Sequence, residues 1–514
     1  MSHIFLYGPP GSGKSTIGRK LALKLARPFF DLDKVIEAKK GCAVSEIFAK
    51  EGEAAFRALE RGVLQEVAAG NPPSVIALGG GTLLDDENRT FAERAGKILC
   101  LRADADALFA RIERTPGSRP LAADREATAK LLEKRAGHYA SFPLFLQSGS
   151  QSFAKMIEEA EIKLCQFAVT GMGPAYPVEV ADGLLATVTP APTAHTVIVG
   201  DSHTLPLYGK RLADRLAAVG FKHVETFEIP AGEATKNLDT VSRIWSAFLR
   251  GGVERIDTVF ALGGGVVGDL TGFAAATWLR GVSWVGVPTS LLAMVDSSLG
   301  GKTGADLPEG KNLIGAFHPP RAVLADTATL ATLPLQELRC GYAEAIKHAI
   351  LADPELLDAL PTAEDFAACA PCVAPFVARA MAVKIRYIEQ DPHEKGIRAT
   401  LNLGHTIGHG IEKATAFRVK HGEGVAIGTV YEAKLAEAMG LAQPGLVKTL
   451  EKTFRHVGLP VELPAGIDLA AVKEAMMHDK KKAGGIVRFA LPAGLGDVRS
   501  GIAVPPEVLD AVLR

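Results

Sequence analysis

Hydrophobic runs long enough to cross a membrane are missing: nowhere in the 514-residue chain do about 20 apolar residues follow one another without interruption. A targeting leader is not expected either, because Met1 leads directly into the apolar run His3 to Tyr7 with no basic segment before it. A soluble, cytoplasmic protein without a membrane partner is therefore expected. Cysteine is scarce. Six residues in so long a chain do not make a disulfide framework, and reduced thiols are the simpler state. Cys369 and Cys372 form a CxxC, but it stands alone in an Ala- and Pro-rich stretch with no second pair to complete a zinc site, and coincidental spacing accounts for it. Net charge is nearly absent too. At −1 it creates no broad field for nucleic acid or anionic lipid, so anion recognition must be local and the partners small molecules.

What the chain does contain is enough to build several cores. Hydrophobic residues make up 47% and charged residues 22%, an ordinary globular balance. Single cores stop growing near about 250–300 residues, so two or three domains are expected. No internal repeat and no low-complexity tract is present. Two Gly-rich turns, Gly8 to Ser15 and Gly263 to Asp269, each follow an apolar run and lead into a helix-like segment, and each marks a separate nucleotide-type site. Between them Thr170 to Pro177 clusters Gly and Pro, which mark linkers, and the boundary is placed near residue 168. Before it, strand-like runs at 3–7, 74–78 and 97–101 alternate with helical patterns, as in a parallel sheet covered by helices. After it the alternation continues through 196–200, 223–228, 258–262 and 283–287 until about residue 327, where helical periodicity takes over. The expected architecture is thus α/β, with domains at 1–168, 169–327 and 328–514, the last of them α-helical.

Gly8-Pro-Pro-Gly-Ser-Gly-Lys14-Ser15 fits GxxxxGK[ST] after a strand and before a helix. Backbone N–H groups of such a loop wrap phosphates, Lys14 reaches the terminal ones, and Ser15 ligates Mg²⁺. The residues that follow decide the acceptor. Phe30-Asp31-Leu32-Asp33 is a DxD. Gly52-Glu53 with Phe56-Arg57 and Glu60 reads GExxFRxxE, Gly79-Gly80-Gly81 follows the run Val75 to Leu78, and Arg119-Pro120-Leu121 and Arg135 with Tyr139 come after. Singly these are weak, since an isolated Arg on a helix is usually solvated. In this order and spacing they resemble shikimate kinase over residues 1 to about 165. That resemblance implies ATP with Mg²⁺ bound by Gly11, Ser12, Gly13, Lys14, Ser15, Thr16 and Arg119, with Ser15 and Asp31 at the metal. It implies shikimate held by Asp33, Arg57, Gly79, Gly80, Gly81 and Arg135, and Lys14, Asp33 and Arg119 as the catalytic groups. Asp33 would hold the acceptor hydroxyl and accept its proton. A gluconate kinase of the same loop class is the rival reading.

Residues 259–281 give an apolar strand, three glycines and a helix, a turn that can bring backbone against a pyrophosphate but is not GxGxxG, so residue chemistry alone leaves an ordinary strand-to-helix turn open. Beyond it lie candidate ligands. Glu344 stands in Ala-Glu-Ala-Ile-Lys347, His405 and His409 in Leu-Gly-His-Thr-Ile-Gly-His, and His421 in His-Gly-Glu-Gly. Two His and a carboxylate with an open position form a common catalytic zinc set, and His405 and His409, four apart on one helix face, could either or both ligate.

Together GGGVVGD, Pro230-Ala-Gly-Glu233-Ala-Thr-Lys236 and Val287-Pro-Thr-Ser290 through Asp296 to Lys302-Thr-Gly resemble 3-dehydroquinate synthase, from about Tyr176 to the C-terminus. The resemblance implies NAD bound by Asp201, Glu233, Lys236, Gly264, Gly265, Val266, Asp269, Thr289, Ser290, Lys302, Lys311 and Thr332. It implies Zn²⁺ or Co²⁺ on Glu344, His405 and His421, with His409 near the substrate. The substrate implied is 3-deoxy-D-arabino-heptulosonate 7-phosphate, on Asp296, Asn312, Lys384, Arg398, Asn402, Lys480 and Lys481. Arg280 would be lent across a homodimer interface, and Lys302, Lys347 and His409 would be catalytic. The chemistry implied is a transient oxidation that acidifies a C–H, loss of phosphate, return of the hydride and ring closure to 3-dehydroquinate. Ser290 stands where that family usually has a second Thr, and His203 follows Asp201 where Asn is common. A glycerol dehydrogenase or another sugar phosphate cyclase is the rival reading for this part, and a scaffold with decayed sites is the rival for the whole chain.

Overall fold

All five residues of the strand His3–Tyr7 are buried, as a strand covered on both faces must be. Alternate side chains serve different layers. Phe5 and Tyr7 pack with Leu32, Ile36, Phe56 and Leu64 on one face, while Ile4 and Leu6 pack with Ile17, Leu21, Leu99 and Leu164 on the other. A computed structural model of the chain describes residues 2–113, 125–149, 151–478 and 487–514. It divides into two compact units, Met1–Ala168 and Val169–Arg514.

In the first unit five strands lie side by side in the order Phe29–Asp31, Val75–Ala77, His3–Tyr7, Gly96–Arg102 and Phe145–Gln147. Each is parallel to its neighbour. Parallel pairing gathers the carboxyl ends of the strands on one edge, which is where α/β sheets bind ligands. Three of the singled-out segments therefore meet there, Gly8 to Ser15, Asp31 to Asp33 and Gly79 to Gly81, although some 70 residues of sequence separate the first from the last.

The second unit repeats the device. Strands Tyr176–Ala181, Ala322–Asp326, Ser283–Pro288, Thr258–Gly263, His195–Asp201 and His223–Ile229 are parallel in that order. Val259 and Ala261 face one core and Phe260 and Leu262 the other. Their carboxyl ends collect Asp201, the segment Pro230 to Lys236, the glycine turn at Gly263, Thr289 with Ser290, and Thr332 in the turn Thr327–Thr332. Helices Leu335–Ala352, Val373–Gln390, His405–Ala414 and His421–Ala438 follow. The short strands Phe29–Asp31, Phe145–Gln147, Tyr176–Ala181 and Ala322–Asp326 were not foreseen. Nor were two antiparallel hairpins, Lys302–Leu307 with Gly310–Phe317 and Arg488–Gly494 with Asp497–Ala503. The C-terminal half is helical as expected, with the second hairpin set among its helices. Among the described residues no helix is long and apolar enough to cross a membrane.

Candidate active sites

A cleft of about 690 Å³ opens at the strand ends of the first unit. The loop forming its floor requires glycine at its start: Gly8 has φ +132°, and a Cβ there would lie 2.2 Å from the carbonyl oxygen of Leu101. Gly11, Gly13, Lys14, Ser15 and Thr16 line the cleft, whereas Ser12 is turned inward and fully buried. Lys14 Nζ donates to the carbonyls of Gly8 and Pro9 at 2.8 and 3.0 Å, which holds its ammonium over the loop. The helix Lys14–Lys24 begins at the loop and brings its N-terminus, with the positive end of its dipole, to the cleft. Ser15 Oγ donates to Asp31 Oδ2 at 2.5 Å, so the two oxygens assigned to Mg²⁺ lie together.

Opposite the loop, Asp33 sits in the first turn of the helix Leu32–Lys40 and also lines the cleft. Burial, reinforced by repulsion from Asp31 and Glu60 and only partly offset by Lys14, pushes its carboxyl up to about 6. Arg57 and Arg135 converge on the glycines. A Cβ on Gly81 would lie 2.7 Å from Arg57 Nη2 and 3.3 Å from Arg135 Nη1. Arg135 donates to the carbonyl of Gly80 at 3.2 Å, and so does Tyr139 at 2.7 Å. Arg57 is steered by Glu60, which is fully buried, pairs with Nη1 at 2.7 Å and accepts the hydroxyl of Thr82 at 2.5 Å. Arg111 lines the cleft as well, reaching the Gly11 carbonyl at 3.4 Å, and no spacing in the sequence singled it out. Arg119 lies outside the described residues.

A second cavity of about 690 Å³ occupies the strand ends of the second unit. Gly264, Gly265, Val266 and Asp269 bring to it the N-terminus of the helix Gly265–Thr277, a natural seat for an anion. Asp201, Glu233, Lys236, Thr289, Ser290, Lys311 and Thr332 line it too, together with Asn312, His203, His409 and His421. Lys236 bridges Asp269 Oδ2 and Asn312 Oδ1, each at 2.6 Å. Burial works against its charge, but the carboxylates around it prevail and hold the ammonium above its usual range. Asp201 spends one oxygen on its own turn, accepting the N–H groups of His203 and Thr204 at 3.0 and 2.8 Å.

Two helices beside this cavity approach as closely as backbones can. A Cβ on Gly428 would lie 2.0 Å from the carbonyl oxygen of Gly404. That contact sets His405 against His421, and the buried helix Leu335–Ala352 adds Glu344. One donor atom from each of Glu344, His405 and His421 falls within 4.8 Å of the others. The two imidazoles are oriented for a cation. His405 Nδ1 lies 3.0 Å from the carbonyl of Leu403, an acceptor only, so Nδ1 carries the proton and Nε2 faces Glu344 at 3.5 Å. His421 Nδ1 lies 2.9 Å from Glu412 Oε1, and its Nε2 faces Glu344 at 3.2 Å. With a proton on each Nδ1, the two Nε2 atoms and the Glu344 carboxylate would offer three donors that fit a divalent ion of the zinc type. His409 lies at the cavity wall, its ring 5.3 Å from that of His405.

The remaining expected residues do not all line that cavity. Asp296, Lys347 and Lys384 form a buried ion cluster against Glu344, with Lys384 2.8 Å and Lys347 3.9 Å from Asp296 Oδ1. Burial would raise the Asp296 carboxyl, but these two cations hold it well below the usual carboxylate range. The fully buried His348 adds a ring nitrogen 3.6 Å from the same oxygen. Lys302 lines a small recess that shares Gly264 and Asp269 with the cavity. Its ammonium pairs with Glu394, which also accepts from Asn402 Nδ2 at 3.2 Å. Arg398 is buried and donates to the Pro392 carbonyl at 2.7 Å. Arg280 stands exposed on a left-handed turn, φ +71°, and lines neither the cavity nor the recess. Lys480 and Lys481 lie outside the described residues. Glu412, Glu394 and His348 were missed, and only Glu412 left a signal, being on the His405 and His409 helix face at a spacing of seven and three.

Comparison with known proteins agrees with this division. Residues 10–162 match the family model for shikimate kinase, 226–340 that for the N-terminal part of 3-dehydroquinate synthase and 341–482 that for its C-terminal part. The chain is 48% identical over 320 residues to a 3-dehydroquinate synthase of Synechococcus sp., covering 60% of this chain and 87% of the relative. It is 42% identical over 357 residues to that of Xylella fastidiosa strain M12, covering 66% and 95%. Among solved structures it is similar to 2-epi-5-epi-valiolone synthase from Streptomyces hygroscopicus with NAD⁺ and Zn²⁺ bound (31% identity, TM-score 0.60, 66% of this chain and 96% of that one). It is also similar to 2-deoxy-scyllo-inosose synthase complexed with carbaglucose-6-phosphate, NAD⁺ and Co²⁺ (25% identity, TM-score 0.63, 68% and 99%).

Proposed function

Because the chain belongs to the shikimate kinase family over its first unit and to the 3-dehydroquinate synthase family over its second, it is a bifunctional shikimate-pathway enzyme, and we propose that the two cavities described above carry its two reactions. In the first, ATP phosphorylates shikimate. The loop N–H groups and Lys14 hold the phosphates, Ser15 and Asp31 hold Mg²⁺, and Arg57 and Arg135 take the shikimate carboxylate above Gly79 to Gly81. Asp33 orients the acceptor hydroxyl and accepts its proton as the phosphoryl group arrives. The observation that carries this assignment is the convergence of both guanidinium groups on Gly81, across the cleft from Lys14 and Asp33.

In the second, 3-deoxy-D-arabino-heptulosonate 7-phosphate is converted to 3-dehydroquinate and phosphate. When bound, NAD would supply a reversible oxidation at a carbon beside the C–H that must be lost, and the divalent ion would polarise the substrate oxygens. The chain provides the rest. The glycine turn and the helix Gly265–Thr277 seat the dinucleotide phosphates, and Glu233 and Asp201 suit its ribose hydroxyls. Glu344, His405 and His421 hold the ion, read as zinc, and Lys302, Lys347, Lys384, Arg398 and Asn402 receive the substrate anions. Exposed Arg280 suits a role in the site of a second copy, so a homodimer through this unit in the cytoplasm is part of the proposal.

The test is to supply ATP with shikimate or gluconate, and separately the heptulosonate phosphate with NAD⁺ and zinc. Phosphorylation of shikimate in preference to gluconate, lost in Asp33→Asn, is expected. So is phosphate release with no net change in absorbance at 340 nm. Preference for gluconate would overturn the first assignment, and sustained NADH accumulation the second.

A further inference from the structure

Glu412 has no part in the reaction as set out, yet it is placed with care. It is 3% exposed, and a carboxylate so deep is costly unless both oxygens are engaged. Both are. Oε1 lies 2.9 Å from His421 Nδ1, and Oε2 lies 3.5 Å from Lys311 Nζ, which also reaches Glu233 at 3.3 Å and rests 4.5 Å from the centre of the Phe417 ring. Close helix packing brings it there: a Cβ on Gly424 would lie 3.4 Å from Glu412 Cγ and 3.1 Å from the Gly408 carbonyl oxygen.

Resting on the metal reading above, we propose that Glu412 is a positioning residue for the metal, accepting the Nδ1 proton of His421 so that the lone pair of Nε2 is the one turned toward Glu344. His405 receives the same orientation from the Leu403 carbonyl, a neutral acceptor. A carboxylate does more than orient, because its negative charge raises the basicity of the imidazole it holds and so strengthens the bond the other nitrogen makes. The two imidazoles are thereby unequal: His421 is the stronger donor and His405 the weaker. Lys311 keeps the second oxygen of Glu412 occupied, which stops the carboxylate from rotating to compete as a ligand itself. Since Lys311 and Glu233 also wall the dinucleotide cavity, one short chain of charges runs from that cavity to the metal.

The experiment uses the full chain, stripped of metal and titrated with Co²⁺ against a chromogenic chelator. Wild type, Glu412→Gln and Glu412→Ala are compared, with the visible bands of bound Co²⁺ recorded and circular dichroism as the check on folding. Loss of a partner of this kind costs about 10–100-fold in metal affinity. Glu412→Ala is expected to bind Co²⁺ that much more weakly with shifted visible bands, and Glu412→Gln, which keeps an oxygen but not the charge, to fall between it and wild type. Affinities within about twofold of wild type, on the same scale, would overturn the role of Glu412 while leaving the metal site intact. Failure of the wild type to bind Co²⁺ would instead overturn the metal reading. Should the variants not fold, the ¹⁵N spectrum of zinc-loaded wild type decides, since the proposal requires a protonated Nδ1 and a metal-bound Nε2 on His421, and the reverse assignment would end it.

Discussion

The two cavities have the same volume, about 690 Å³, and the same place at the carboxyl ends of a parallel sheet, but they keep their charges differently. In the first, Arg57 is paired with buried Glu60, but the expected base stands apart: among the described residues Asp33 makes no ion pair, and burial leaves it reluctant to ionise, with its carboxyl at about 6. In the second, charges are matched in advance. Glu344 touches Lys347, Asp296 touches Lys384, and Lys302 touches Glu394. A group held apart can be removed at the expense of function alone. A group in a buried matched set cannot, because its partner is left charged and unpaired.

Glu344→Gln gives the contrast its widest reading. Phosphate release from the heptulosonate phosphate should fall by at least about 10³-fold, since the metal that polarises the substrate supplies several kcal/mol of transition-state stabilisation. Stability should fall as well, by about 3–5 kcal/mol, because Lys347, 2% exposed, loses its nearest carboxylate. Denaturant midpoints followed in the second unit check this, and an unchanged midpoint would break the comparison.

Asp33→Asn is the counterpart. Kinase turnover should fall by about 10²–10⁴-fold, the worth of a general base, while stability at pH 7 stays level or rises. The sign follows from the direction of the shift. A carboxyl whose folded-state value is raised favours folding below its unfolded value and withdraws that support as pH climbs through about 6, so its ionised form at pH 7 is a burden that Asn removes. The same value sets the wild-type profile: kcat/KM for shikimate should drop tenfold per pH step below about 6, as the base becomes protonated.

These two residues also mark what sequence could and could not reveal. Asp33, Lys14 and Ser15 lie within local motifs whose spacing carries their chemistry, and parallel strands deliver such motifs to one edge whatever lies between them. Arg57 was legible through its GExxFRxxE segment, whereas Arg135, beside Tyr139, was legible only through its order relative to the glycines. Lys347 was legible as a residue but not as the partner of Glu344, because both sit on a helix so deeply buried that its apolar pattern does not separate a core face from a site face. Glu394 was illegible. It pairs with Lys302, 92 residues away, from a backbone turn with φ +56° that no periodicity announces. The hairpins were missed for a related reason: Lys302–Leu307 and Gly310–Phe317 are short and glycine-bearing, and their partners are each other rather than the main sheet.

A finer test asks whether the open arrangement of the first site really depends on geometry. Arg135 donates to the Gly80 carbonyl and faces the cleft beside Arg57. Arg135→Lys keeps the charge but not the planar fork that can grip a carboxylate with two parallel bonds. KM for shikimate should rise about tenfold, the loss of one charge-assisted hydrogen bond, with kcat nearly unchanged. A rise in KM with an equal fall in kcat would show that Arg135 acts in the transition state and not in binding.

The smallest effect is expected where the second site departs from its family's usual residue. Ser290 Oγ accepts the N–H of Ala293 at 3.2 Å and lines the dinucleotide cavity. It therefore caps the turn that follows it, a task Ser and Thr perform with energies differing by only a few tenths of a kcal/mol. Ser290→Thr restores the usual residue, keeps the hydroxyl in place and adds one methyl. NAD⁺ affinity, measured by fluorescence quenching, should change by less than about threefold, the equivalent of well under 1 kcal/mol. A larger change would mean that the cavity wall at Ser290 is packed too tightly to accept a methyl. The second site would then be matched in shape as closely as it is matched in charge.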